Sequence, residues 1–350
     1  MEKKKSQTEQ LFQDKRKIVI LIIALLIANV TLICISLFIG QYGMSFMETI
    51  KAMLGYNGTK EAEIIRTIII NIRIPRTVAS VVIGGILAIA GLTYQGVFRN
   101  TLVSQDILGV STSSCVGAAL GNVLGLSTMQ IQFLAFILGV ANICLIFLLS
   151  SSIKLDKTLS LILSGILIGG AMSSVLAMIK YMANPEIHLQ AIVFWTMGDI
   201  SSITMEQLAY IAIPVTICTV ILFTRSWGLN YFCFMDSEAK SMGFNIGRNR
   251  VIYLACATVL VASAVSISGS IGWVGLVIPQ LSRLLVGQNH RYTMPLAFLM
   301  GSIFLLVVDI INRLISAAEL PVSIISGLLG LPLFITCWFI NAKHSEEKNR

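Results

Sequence analysis

The chain has 350 residues, of which 56% are apolar and 12% charged, about half the roughly 25% charge of an average soluble domain. Its 25 Lys and Arg against 17 Asp and Glu leave a net charge of +8, yet no basic stretch is interleaved with the aromatics on which nucleic-acid bases stack. The composition excludes a soluble domain and gives no sign of a nucleic-acid partner; it predicts an all-α integral membrane protein surrounded by lipid.

Runs without charge occupy residues 18–47, 77–98, 107–153, 158–179, 207–224, 251–282, 292–308 and 320–342. About 20 apolar residues in a helix cross roughly 30 Å of hydrocarbon, so the two longest runs each read as a pair. Splitting 107–153 near Leu126, Ser127 and Thr128, and 251–282 near Ser266, Ser268, Gly269 and Ser270, places the breaks at glycine and serine clusters and gives ten crossings. The polar stretches 1–17, 48–76, 184–206 and 225–250 are too short to build a soluble domain. The expected organisation is a cytoplasmic segment 1–17, a transmembrane domain 18–342 and a cytoplasmic tail 343–350. The first run is too long for a signal-peptide core and lacks a small-x-small cleavage site, so a retained first helix is expected.

Lys and Arg collect on the cytoplasmic side of membrane proteins. With the N-terminus inside, ten alternating crossings place eighteen basic residues inside, Arg99, Lys154, Arg250 and Arg350 among them. Seven fall outside: Lys51, Lys60, Arg66, Arg73, Arg76, Lys180 and Arg313. Both termini are therefore expected in the cytoplasm of a bacterial cell membrane protein.

Small residues recur inside the spans, as at Gly84, Gly91, Gly165, Gly169, Gly327 and Gly330, and let helix backbones approach closely in lipid. Ionisable groups within the spans are scarce, and Asp309 lies four residues before Arg313 on one helix face. That scarcity speaks against an ion-coupled transporter, which uses intramembrane carboxylates or histidines as relays. The phosphate-binding string GxxxxGK[ST] does not occur, so any ATP is bound by another subunit. His188, His290 and His344 all lie outside the spans, which leaves a membrane-embedded enzyme without a triad. Seven cysteines without a CxxC pair read as small buried hydrophobes, and no metal or other cofactor is expected in this chain. Residues 184–204, with Pro185 and Trp195, read as a short interfacial helix. The loop 229–250, which carries Glu238, Ala239 and Gly243 between two apolar runs, reads as a socket for another protein.

Six strings then line up in order: RIPR at 73–76, GLTYQGVFRNTL at 91–102, DILGVS at 106–111, VFWTMG at 193–198, GSIGWVGLVIP at 269–279 and AELPV at 318–322. Together they resemble the FecCD family of ABC importer permeases, which carry ferric siderophores, haem and cobalamin. The resemblance implies a BtuC-like, type II importer bundle of about ten transmembrane helices. It also implies a homodimer or a heterodimer with a paralogous permease, two cytoplasmic ATPases that bind the ATP, and an external substrate-binding protein. A ferric siderophore is the first expectation for the cargo, with haem or cobalamin as alternatives; an ion-coupled secondary transporter is the alternative of another class.

The same resemblance assigns residues. Glu238, Ala239 and Gly243 fall where family members place the helix that seats in the ATPase; an acidic residue near a helix start and a glycine of positive φ at its end make a rigid knob, the other reading being a solvated loop. Arg73, Arg76 and Arg313 correspond to arginines that pair with glutamates of the binding protein; interfacial anchoring, or for Arg313 the pair with Asp309, is the alternative. Asn100 and Leu102 correspond to one cytoplasmic constriction of the path and Thr158 to a second, with loop packing as the alternative. The sequence departs from the family pattern at Thr101, where proline is common, at Leu159, where a small polar residue occurs, and at Gln280, where histidine often follows Pro279.

Overall fold

The computed structural model describes residues 2–40, 60–153, 155–315 and 320–348. Met47, Lys51, Lys154, Ala318, Glu319 and Arg350, used above to bound spans, loops and a motif, lie outside them. The first helix, α1 (Glu2–Phe38), runs through the expected N-terminal segment into the first span. A short helix α2 (Lys60–Ile68) continues through one π-turn (Ile69–Arg73) into α3 (Ile74–Phe98). The wide turn lets the Ile74 N–H bond the Ile69 carbonyl just ahead of Pro75, which has no N–H to give.

Then follow α4 (Val110–Val123), α5 (Thr128–Ser152), α6 (Lys157–Met182), α7 (Gln190–Met197) and α8 (Met205–Thr224). The chain ends with α9 (Asp236–Ser241), α10 (Ile246–Ser268), α11 (Val274–Val286), α12 (His290–Ile315) and α13 (Val322–Lys348). Several helix starts carry side-chain caps. Ser127 and Gln130 form the box that opens α5, Asp156 accepts from Thr158 and Leu159 N–H at α6, and Thr204 accepts from Gln207 N–H at α8.

Among the described residues, eight helical segments are long and apolar enough to cross a membrane. The third and eighth passes are shorter: α4 has 14 residues and α11 has 13, about 20 Å each at 1.5 Å per residue. Irregular chain beside them makes up the depth. Val103, Gln105, Leu108 and Ile271 in those loops are buried, as non-helical backbone in a membrane must be. Both long runs therefore break where glycine and serine cluster. The second pass differs from expectation, a continuous segment Glu63–Phe98, because the polar stretch before Arg76 is itself helical.

Helices α3 and α10 form the buried centre, with α12 packed along α3, α5 against α4 and α10, and α1 on the outside of α12. Backbone-to-backbone contact fixes this arrangement: a Cβ on Gly84 would stand 2.2 Å from the Gly301 carbonyl oxygen, and one on Gly91 1.9 Å from that of Gly275. The bundle has two ends. One gathers the C-terminus of α1, the start of α3 and the end of α12, joined through Arg73, Arg76 and Arg313. The other gathers Arg99 at the end of α3, α9, and the first turns of α10 and α12.

Candidate functional site

The helix α9 is a single capped knob at the Arg99 end. The Glu238 carboxylate reaches back to accept the Met235 N–H at 3.0 Å. At the other end Gly243 takes φ +80°, and the N–H of Phe244 bonds the Ala239 carbonyl at 2.9 Å while that of Gly243 bonds Lys240 at 3.0 Å. Those bonds satisfy the last carbonyls in the pattern that a left-handed residue after a helix permits. Ala239 is fully buried, so it anchors the knob, whereas Asp236, Glu238 and Lys240 are exposed. Phe244 stacks on Tyr231 of a 3-10 turn (Ser226–Cys233) with ring centroids 4.6 Å apart, and Phe232 packs edge-on against Tyr253 of α10. Around the knob, Trp227, Phe234, Met235 and Met242 are exposed. Apolar side chains beside exposed charges at one rigid projection form a surface suited to a protein partner.

The loop after α3 lies beside it. Asn100 accepts the Leu102 N–H on its side-chain oxygen at 2.9 Å, and Gln280 of α11 donates to the Thr101 carbonyl at 3.2 Å. Across the same end, Arg250 of α10 donates to the Thr158 hydroxyl at 3.3 Å, at the start of α6. Arg250 is nearly fully buried.

Deeper in the bundle the sequence strings meet one another. Gly91 packs on Gly275, and Gln95 donates to the Gly275 and Leu276 carbonyls at 3.4 and 3.3 Å. Gln95 also accepts from Arg283. Gln105, 1% exposed, donates to the Ile271 carbonyl at 3.0 Å, so the two irregular loops are bonded to each other. Towards the opposite end, Asp199 N–H donates to Ser268 at 2.8 Å and Val322 N–H to Gly198 at 2.9 Å. A Cβ on Gly198 would stand 2.5 Å from the Ser270 carbonyl oxygen. Strings far apart in sequence are thus one set of close contacts between α3, α7, α11 and α13.

The FecCD transport family model matches residues 24–340. The chain belongs to the FecCD transport family. It is 36% identical over 301 residues to the molybdate import system permease protein MolB of Haemophilus influenzae, covering 86% of this chain and 89% of that one. It is 31% identical over 318 residues to the ferric enterobactin transport system permease protein FepD of Escherichia coli, covering 90% and 92%. A solved inward-facing structure, described as a metal-chelate type ABC transporter, superposes with a TM-score of 0.82 at 34% identity and covers 91% of this chain and 98% of that one. The protein is accordingly a multi-pass ABC importer permease of all-helical fold, and in this family ATP hydrolysis is the work of a separate subunit.

The three arginines expected at the external side have their partners within the chain. Arg73, Arg76 and Arg313 are inside the protein, 4%, 3% and 7% exposed. Arg76 Nε donates to Asp309 Oδ1 at 2.6 Å, and Arg313 pairs with the other carboxylate oxygen. Arg73 bonds the Leu37 and Phe38 carbonyls at 2.7 and 3.1 Å, and Arg313 the Ser36 carbonyl at 2.8 Å. Arg73 and Arg313 therefore cover the last carbonyls of α1, where cations are favoured, and Arg76 and Arg313 share one buried carboxylate. The i, i+4 pair of Asp309 with Arg313 was legible; that Asp309 also receives Arg76 was not.

Arg99, Gln105 and Arg250 carry contacts at this site that sequence reasoning did not single out. Arg99 and Gln105 had a signal, since they lie in or between the first strings of the family pattern. Arg250 had none beyond its place at the end of the loop 229–250.

Proposed function

We propose that this permease pairs with a second permease subunit, that each takes its drive from one ATPase seated on its α9, and that together they move a metal complex delivered by an external binding protein. The carrying observation is the knob 236–241. It is capped at both ends, anchored by buried Ala239, and surrounded by exposed Met235, Met242, Phe234 and Trp227. A rigid projection can pass on a push that a mobile loop would absorb. Glu238, Ala239 and Gly243 are the residues that make it rigid.

In this reading Asn100 and Leu102 close the path on one side and Thr158 on the other, at the end that faces the cytoplasm with both termini. The exposed residues of α6 include Ile166, Leu167, Gly170, Ser173, Ser174 and Met178, with no charged residue from Thr158 to Ile179. Weak, uncharged contacts suit a bulky chelate whose organic shell screens its metal, because nothing along them holds the cargo tightly. A ferric siderophore is the first cargo on that ground.

A bare oxyanion is the second reading, favoured by the 36% identity to a molybdate permease. Uptake into proteoliposomes of the complete assembly, offered ferric siderophores, haem, cobalamin and molybdate in parallel, decides between them. Ferric siderophore uptake supports the first reading; molybdate uptake alone replaces it with the second.

A further inference from the structure

Arg99 and Trp273 are the non-glycine residues with positive φ among the described residues. Arg99 closes α3 at φ 53° and ψ 31°, a left-handed position that glycine fills freely and a Cβ strains. The turn itself needs no side chain: Asn100 N–H bonds the Gln95 carbonyl at 3.2 Å and Arg99 N–H that of Gly96 at 3.4 Å. What the arginine adds lies outside α3. Its Nη2 donates to the Phe234 carbonyl at 2.5 Å and stands 3.8 Å from Asp236 Oδ1, the first residue of α9. The ion pair is exposed on both sides and contributes little. The charge-assisted bond to a main-chain carbonyl is the firmer contact, because that carbonyl is fixed by the chain entering the knob. At its far end α3 is held to α12 through Arg76 and Asp309, and along its length it packs on α10, α11 and α12.

We propose that Arg99 is a positioning residue that carries movement of α9 into the central helix α3, and that a strained backbone is kept at its position for this purpose. The inference rests on the reading of α9 as the ATPase contact.

The test compares the complete assembly with wild-type permease, Arg99→Gly and Arg99→Lys in proteoliposomes. It reads thermal unfolding, and uptake per ATP hydrolysed by the folded complex, using whichever of ferric siderophores, haem, cobalamin or molybdate the wild type carries. Glycine relieves the strained φ, so a residue that merely ends α3 gives equal or higher stability with unchanged uptake per ATP. The tie gives undiminished stability with uptake per ATP lowered on the order of tenfold, the equivalent of one charge-assisted hydrogen bond, and Arg99→Lys in between because it keeps the charge without the fork. Unchanged uptake per ATP in Arg99→Gly overturns the proposal and leaves the ATPase contact standing. Absence of ATP-driven uptake by the wild type overturns the underlying reading instead.

Discussion

Gln280 donates its side-chain N–H to the main-chain carbonyl of Thr101 at 3.2 Å, so two positions at which this sequence departs from the family pattern are in contact. Thr101 sits between Asn100 and Leu102, whose own turn is closed by the Asn100 side chain. Gln280→Ala removes one neutral hydrogen bond, about 1 kcal/mol. The expected outcome is a small fall in melting temperature with faster passive efflux of cargo from loaded proteoliposomes. Efflux unchanged from wild type would show that this loop does not close the path.

Asp309 is fully buried and receives both Arg76 and Arg313. Removing one partner of a buried ion pair leaves an uncompensated charge and costs about 3–5 kcal/mol. Asp309→Ala and Arg76→Glu are therefore expected to lower folded yield and the unfolding temperature of the detergent-solubilised permease sharply. If Arg76→Glu instead melts like wild type and loses only its association with the binding protein, the arginine is a docking residue after all.

At Gly243, φ is +80°. Alanine there is strained by about 1–2 kcal/mol, and proline in addition cannot reach this φ and removes the N–H bonded to Lys240. Gly243→Pro is expected to abolish co-purification of the ATPase while the transmembrane helices remain folded, and Glu238→Lys, which removes the cap on Met235 N–H, to weaken it. Retained ATPase at wild-type stoichiometry in Gly243→Pro would remove the knob from the account.

The glycines divide into two kinds. A side chain at Gly91 meets the Gly275 backbone at 1.9 Å, whereas a Cβ at Gly170 meets nothing within 4 Å. Gly91→Val is expected to prevent accumulation of folded permease, and Gly170→Ala to melt within a few degrees of wild type. Equal melting of the two variants would contradict the close approach of α3 and α11.

Much of this architecture was legible because lipid imposes it. Charge-free runs gave the ten passes, and the glycine and serine clusters after Val123 and Ser268 gave the breaks. Where a helix stops inside the protein was not legible. The shortness of α4 and α11 depends on the burial of Gln105 and Ile271 against each other, a contact across 166 positions. The knob at Glu238, Ala239 and Gly243 was legible because capping is local. Arg73, Arg76 and Arg313 read as surface charges because the groups that hold them, Asp309 and the last carbonyls of α1, belong to other helices or another turn, and sequence spacing reveals only the neighbour four residues away.

The most direct test of ATP drive through α9 is cargo uptake into proteoliposomes holding the permease, its ATPase and its binding protein. The offered cargoes are ferric siderophores, haem, cobalamin and molybdate, each assayed with ATP and with an imposed ion gradient in its absence. The account predicts uptake that requires ATP and binding protein and is lost in Gly243→Pro. Uptake driven by the ion gradient alone, or ATP-driven uptake that survives Gly243→Pro, would contradict it.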